Sequence, residues 1–336
     1  MSSEKTRNLM LKNAPPSTTS VVNPNQNTVP LNVLKGTTLR SALETANHPT
    51  TFIATSSDYD NTIIPTCPVL PDEPKAVVKQ PVPTLTPRKI TPSSIHKLDY
   101  EQDIVYLYQF PRLKTCPNIS SYCLKTETFL RAYNIPHKII ETGTLRSRNG
   151  TLPFIELNGE HIADSDLIEM RLKQHFEIEP LSAEDEAHAT AITRLADNHL
   201  ISLIIKHKAF HDDFIMAIVR NIGAPTFLHP ILHPIIKRVF TRKVHSRIAA
   251  AVGTFTPDEE VILLHKDLQT IQNLIRGKYL FGDKITSADT AVFGEIASTY
   301  YPFKNKFTEI IDEHYPKLLD YVERIRDELY PNDFQL

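Results

Sequence analysis

The sequence predicts an α+β protein in which strands come first and helices follow, preceded by a long irregular tail. Three observations carry this reading. Thirteen of the 25 prolines precede residue 98, β-rich runs are confined to residues 99–180, and apolar residues from Ser182 onward recur at helical spacing. Strands and helices segregated along a chain imply a two-part arrangement rather than alternating β-α units. The expected domains are therefore a tail over 1–98, a small α/β unit over 99–180 and an all-helical unit over 183–330.

The tail is built from Pro, Ser, Thr and Asn, and its apolar residues keep no period. Such a stretch cannot bury enough apolar surface to offset the entropy of ordering it, so disorder is expected. The prolines spaced from Pro65 to Pro92 favour an extended, semi-rigid linker. A tether, a docking region and an inert tail are all compatible with this composition.

Order begins at Asp99. Ile104–Phe110 is a β-rich run ended by Pro111, as a buried central strand would be. Ile119, Tyr122, Cys123, Thr126, Phe129, Leu130 and Tyr133 then mark one face of a helix. His137–Thr142 reads as a second strand, parallel to the first through a right-handed crossover. Two short runs flank Asn158-Gly159, a strong hairpin turn signal. Ser165 opens a helix with Ile168, Leu172 and Phe176 inward, and Pro180 closes the unit. The second unit holds helices near Glu184–Phe210, Ile231–Ala251, Asp258–Ile275, Ser287–Thr299 and Pro316–Leu329.

Composition excludes several functions. A formal net charge of −2 lacks the basic excess of a nucleic-acid-binding chain. No apolar run approaches the roughly 18–20 residues that span a bilayer. Cys67, Cys116 and Cys123 are too few for a disulfide framework, so a reducing, cytoplasmic setting is expected. His229 and His233 have helical spacing, but Pro230 and Pro234 argue against their presentation to a metal, and no metal site is expected. Between Asp213 and Asp258 there is no acidic residue, while Arg220, Lys237, Arg238, Arg242, Lys243 and Arg247 bring +6. Leu232, Ile235, Ile236, Val239 and Ile248 fall near one face of the helix 231–251. A solvated basic side on a domain helix is the favoured reading; contact with an anionic membrane or an acidic protein is the other.

Three motifs resemble the glutathione transferases. Thr151-Leu152-Pro153-Phe154-Ile155-Glu156-Leu157-Asn158-Gly159 resembles their strand with a cis X–Pro bond, which turns the backbone of Leu152 towards the ligand. An edge-strand proline is the alternative. Ala163-Asp164-Ser165 resembles their acidic-then-Ser pair, where the Ser at a helix N-terminus holds the γ-glutamyl carboxylate of glutathione. Helix capping by Asp164 or Ser165 is compatible with that role. Gly282–Asp289 resembles their N-capping motif, with Thr286 and Asp289 as a structural capping box. The resemblance implies a glutathione-transferase fold, a thioredoxin-like domain followed by an all-helical one, that often forms homodimers.

A narrower resemblance, to the failed axon connections family, lies in Val105–Arg112, Leu124–Arg131, Leu152–Gly159, Ile162–Ser165 and Tyr279–Lys284. Nematode cadmium-responsive proteins and metaxins are related to that family. The resemblance implies a binding or adaptor protein in axon development or stress response that retains a glutathione-type pocket. It needs no cofactor, and glutathione is its ligand or co-substrate. The alternative is an active serine-type transferase that conjugates glutathione to electrophiles.

Chemistry would centre on Ser120. The related pattern S-P-F-C-L-K stands here as Ser120-Ser121-Tyr122-Cys123-Leu124-Lys125, so the thioredoxin C-x-x-C has become Ser120-x-x-Cys123. Disulfide exchange at this pair is excluded. The Ser120 hydroxyl can hydrogen-bond a glutathione thiolate and lower its pKa, or it can simply cap its helix. Cys123 reads as a packed thiol, Cys116 as a reactive thiol in an exposed loop, and Tyr108 as a strand tyrosine with a secondary claim to chemistry.

Overall fold

The computed structural model describes residues 95–221, 224–252 and 255–334. The expected disorder of the tail falls almost wholly on residues 1–94, outside that range. The first described segment reaches four residues further back than Asp99 and is fastened to the sheet. Glu156 accepts the backbone N–H groups of His96 and Lys97 at 2.8 Å each.

The α/β unit contains β1 (Val105–Gln109), α1 (Ser121–Ala132), β2 (His137–Glu141), β3 (Phe154–Leu157), β4 (Glu160–Ala163) and α2 (Ser165–His175). Its sheet order is β2-β1-β3-β4, with β1 parallel to β2 and antiparallel to β3, and β3 antiparallel to β4. Alternation sorts β1 between two apolar clusters. Val105 and Leu107 meet Phe129 and Leu130 of α1 and Ile168 and Leu172 of α2. Tyr106 and Tyr108 meet Cys123, Leu152 and Phe154. On this second side Tyr108 stacks on Phe154 at 4.3 Å, and His96 packs against both rings.

The helical unit begins with α3 (Ala183–Arg194), continues without a break through a π-helical turn (Leu195–Leu200), and ends its first long rod in α4 (Ile201–Ala209). The others are α5 (Asp212–Asn221), α6 (His229–Val252), α7 (Pro257–Asn273), α8 (Ser287–Tyr300), α9 (Lys306–His314) and α10 (Pro316–Leu329). Helix α8 is the buried axis: every residue from Ala288 to Thr299 is out of solvent. It crosses α1 so closely that a Cβ on Gly294 would lie 2.8 Å from the Ser121 carbonyl oxygen.

Three sequence expectations change. Helices α5 and α9 were not anticipated, because each is under three turns and presents only a few apolar positions to the core. The capping set of Asn305, which accepts from Phe307 and Thr308 N–H, was the available signal for α9. Pro230 falls in the first turn of α6, where an N–H has no intrahelical partner in any case, while Pro234 is carried inside the helix at the cost of one hydrogen bond. Finally, the apolar residues of α6 do not share one face. Ile236 packs inward and Ile248 is buried, whereas Ile235 and Val239 are exposed.

Candidate functional site

A cavity of about 270 Å³ opens between the start of α1, the loop before β3, the N-terminus of α2 and the π turn. Leu152, Pro153, Asp164 and Ser165 all line it. The Leu152–Pro153 bond is cis. Asp164 is the N-cap of α2, with φ +83°, and its carboxylate accepts the Asp166 N–H at 3.1 Å. Ser165 follows as the first helical residue, 7% exposed. Asp164 takes one N–H of this helix start, and the remaining unpaired ones favour an anion.

Charge around the cavity is organised by Lys125, to which the sequence assigned no role. Lys125 of α1 is 1% exposed, and its ammonium donates to Asp166 at 2.7 Å and to Asp197 of the π turn at 2.6 Å. Glu169 stands 3.8 Å away, and Arg194 bonds the other oxygen of Asp166. Burial acts to raise Asp166, yet the charges of Lys125 and Arg194 hold it below the usual carboxylate range. Burial raises Asp197 despite Lys125, and pushes Glu169 up to about 7. The Oδ1 of Asp197 is buried without a partner among the described residues. Asp166 belongs to the first turn of α2 and Asp197 meets it from the π turn, so acidic groups and a helix N-terminus share the cavity, a combination suited to a ligand carrying both an ammonium and a carboxylate.

Ser120 lies apart from these groups. It occupies the N-cap position of α1, but its side chain makes no capping bond. Its N–H donates to Asn118 Oδ1 at 3.0 Å and its carbonyl accepts from Leu124. The α1 residue that lines the cavity is Tyr122, whose hydroxyl donates to the Asp197 carbonyl at 3.0 Å and is met by Arg247. Burial pushes the Tyr122 phenol up to about 12. Ser121 is committed elsewhere, to Ser298 at 3.0 Å and to the buried ammonium of Lys208 at 3.2 Å.

The expected reactivity of Cys116 is corrected. Its side chain is 0% exposed, its thiol donates to the Asn118 carbonyl at 3.2 Å, and burial pushes its pKa up to about 12. The loop around it folds under α8 instead of lying open. Cys123 is equally enclosed, and burial pushes it up to about 11 against the pull of the Ser120 hydroxyl. Tyr108 is buried and donates to Glu156 at 3.0 Å, away from the cavity. Thr286 and Asp289 form their capping box, and Asp289 also accepts from Leu280 N–H at 2.9 Å and the Tyr321 hydroxyl at 2.8 Å. A second concavity of about 190 Å³, lined by Leu203, Lys206, His207, Glu260 and Lys306, contains none of the anticipated residues.

Two family models match the chain. The glutathione S-transferase N-terminal domain matches residues 121–214, and the glutathione S-transferase C-terminal domain matches residues 264–325. Failed axon connections of Drosophila melanogaster is 32% identical over 259 residues, 71% of this chain and 61% of that protein. The chain is a glutathione-transferase-like protein related to failed axon connections. It spans about 61% of the length of this relative. Among solved structures it is similar to a glutathione transferase from Phanerochaete chrysosporium (14% identity, TM-score 0.47, 68% of this chain and 98% of that one). It is also similar to a glutathione S-transferase of Ceriporiopsis subvermispora in complex with glutathione (18%, 0.45, 67% and 97%). This relationship rests on the sequence matches and on the strand order and helical core described above. No described helix is long and apolar enough to cross a membrane.

Proposed function

We propose that this protein is a binding protein that holds glutathione or a closely related γ-glutamyl peptide, and that it works as an adaptor rather than through turnover. The observation that supports this most is the convergence of Leu152, Pro153, Asp164 and Ser165 on one cavity beside a helix N-terminus. In this reading Ser165 and the first N–H groups of α2 take the γ-glutamyl carboxylate. The backbone of Leu152, next to Pro153, pairs with the cysteinyl part of the peptide. Asp164 and Asp197 face the ammonium end.

The alternative is a serine-type transferase in which Ser120 stabilises the glutathione thiolate. The cavity lining bears against it, because the α1 residue that lines the cavity is Tyr122 and not Ser120. A role in axon development or stress response belongs to the same proposal; the relative's name supports the axonal part alone. The adaptor reading also assigns a docking surface to the basic helix 231–251.

Conjugation of a model electrophile separates the two. Binding of glutathione without turnover supports the adaptor. Turnover that falls at least a hundredfold in Ser120→Ala, about 3 kcal/mol of transition-state stabilisation, replaces it with the enzyme.

A further inference from the structure

Helix α6 has two apolar faces, and the fold uses one. Val244, Ile248 and Val252 are buried, and Ile236 and Phe240 pack against the buried Phe214 and Ile215 of α5. On the outer side Ile231, Ile235 and Val239 are 60%, 54% and 52% exposed, with Phe227 leading them at 76% in the turn before the helix. A four-residue interval sets successive side chains one above the next on a helix, so these form a single ridge. Scattered exposed apolar residues are ordinary on a soluble surface, but four in one line are a patch.

The ridge is flanked by cations that the fold also leaves unused. Arg238 stands three residues from Ile235, and Arg242 and Lys243 stand three and four residues from Val239, so all lie beside the ridge. All three are exposed, and none makes an ion pair among the described residues. Lys237 and Arg247, by contrast, are engaged with Asp212 and Tyr122. No acidic residue occurs from residue 214 to residue 257 to neutralise the surface.

Charge decides what can cover this face. A second copy of the chain across a two-fold axis would set Arg238, Arg242 and Lys243 against their own images, which repel. The chain's own tail carries nine Lys and Arg against six Asp and Glu over residues 1–94, a net of +3, and is repelled as well. An anionic bilayer meets both requirements at once. Its headgroups neutralise the arginines and lysine, and its acyl boundary takes the isoleucine, valine and phenylalanine side chains. The ridge is convex and continuous, as shallow insertion requires. We infer that the outer face of α6, through Phe227, Ile231, Ile235, Val239, Arg238, Arg242 and Lys243, is a peripheral docking surface for anionic lipid membranes.

This deepens the adaptor reading by naming what its basic helix contacts, and it rests on that reading only for its purpose. The test is flotation of the full chain with vesicles of phosphatidylcholine, alone or with about 30% phosphatidylserine. The expected result is flotation with the anionic vesicles only, lost in high salt. Replacing Arg238, Arg242 and Lys243 by Gln should weaken binding roughly a hundredfold, about fivefold per charge removed. Replacing Ile231, Ile235 and Val239 by Ser should also weaken it, at least about tenfold, with charge unchanged. These positions are exposed, so both variants should melt as the wild type does and titrate glutathione unchanged. A failure here is thereby distinguished from a failure of the pocket proposal. No flotation at low salt overturns the inference. So does a serine variant that floats like the wild type, which leaves the apolar ridge without a role, or a chain that binds soluble polyglutamate but not anionic vesicles, which points to an acidic protein partner.

Discussion

The ammonium of Lys125 on α1 lies 2.6 Å from the Asp197 carboxylate of the π turn, and the lysine is 1% exposed. The contact ties the α/β unit to the helical unit at the wall of the cavity. The wider turn of a π segment lets Asp197 reach α1 while the rod from α3 to α4 continues. Replacing Lys125 by Met should leave Asp197 buried without its cation and the half-buried Asp166 with Arg194 alone. The expected loss is about 3–5 kcal/mol, read by urea unfolding. A loss under about 1 kcal/mol would show that the contact does not organise the wall.

Glu169 supplies a pH dependence at the same hub. Burial raises its folded pKa from 4.5 to about 7, so the folded state holds its proton more tightly than the unfolded state. Its contribution to stability is fully present below 4.5 and is lost as pH rises through about 7. Asp166 is shifted the other way, and its contribution is lost only as pH falls below the usual carboxylate range. Glu169→Gln keeps the shape and removes the charge. The stability difference between variant and wild type should therefore grow by on the order of 3 kcal/mol across that window. Parallel stability curves for the two proteins would contradict this assignment.

Gly294 tests the helix crossing that sets α1 against the helical core. A methyl group there would meet the Ser121 carbonyl at 2.8 Å and Lys125 at 3.0 Å, both on a buried helix. Backbone cannot yield as a flexible side chain can, so Gly294→Ala should destabilise by about 1–3 kcal/mol despite its gain in helix propensity. Thermal unfolding reads the sign directly; a stabilised variant would contradict the packing.

The two enclosed thiols should be silent. With burial holding Cys116 near about 12 and Cys123 near about 11, neither forms appreciable thiolate at neutral pH. Mass spectrometry after brief iodoacetamide treatment should find both unlabelled in the native protein and both labelled in denaturant. Native labelling of Cys116 would restore the exposed-loop reading.

Legibility in the sequence followed the range of the interaction. The strands, the hairpin at Asn158-Gly159 and the Thr286–Asp289 capping box are local patterns, and the structure contains each of them. Leu152, Pro153, Asp164 and Ser165 were legible because a short motif surrounds each. Asp197 was not, since its meaning comes from Lys125, 72 residues away, and nothing local distinguishes it from a solvated helix aspartate. Asp289 was half legible: its bonds within the cap are local, whereas those to Leu280 and Tyr321 come from tertiary packing. Cys116 was misread because a loop before a proline looks exposed until α8 covers it. The split faces of α6 were missed for a related reason, as periodicity marks apolar positions without saying which neighbour takes them.

The central claim, that this cavity is a γ-glutamyl peptide site independent of Ser120, is tested most directly by titration calorimetry of glutathione into the full chain. Saturable binding at or below about 1 mM is predicted, unchanged in Ser120→Ala. Affinity should fall at least about tenfold in Ser165→Asp, which a helix N-terminus tolerates but which repels a carboxylate. A folded wild-type protein that releases no heat at millimolar glutathione, or a Ser165→Asp variant that binds as well as the wild type, would contradict it.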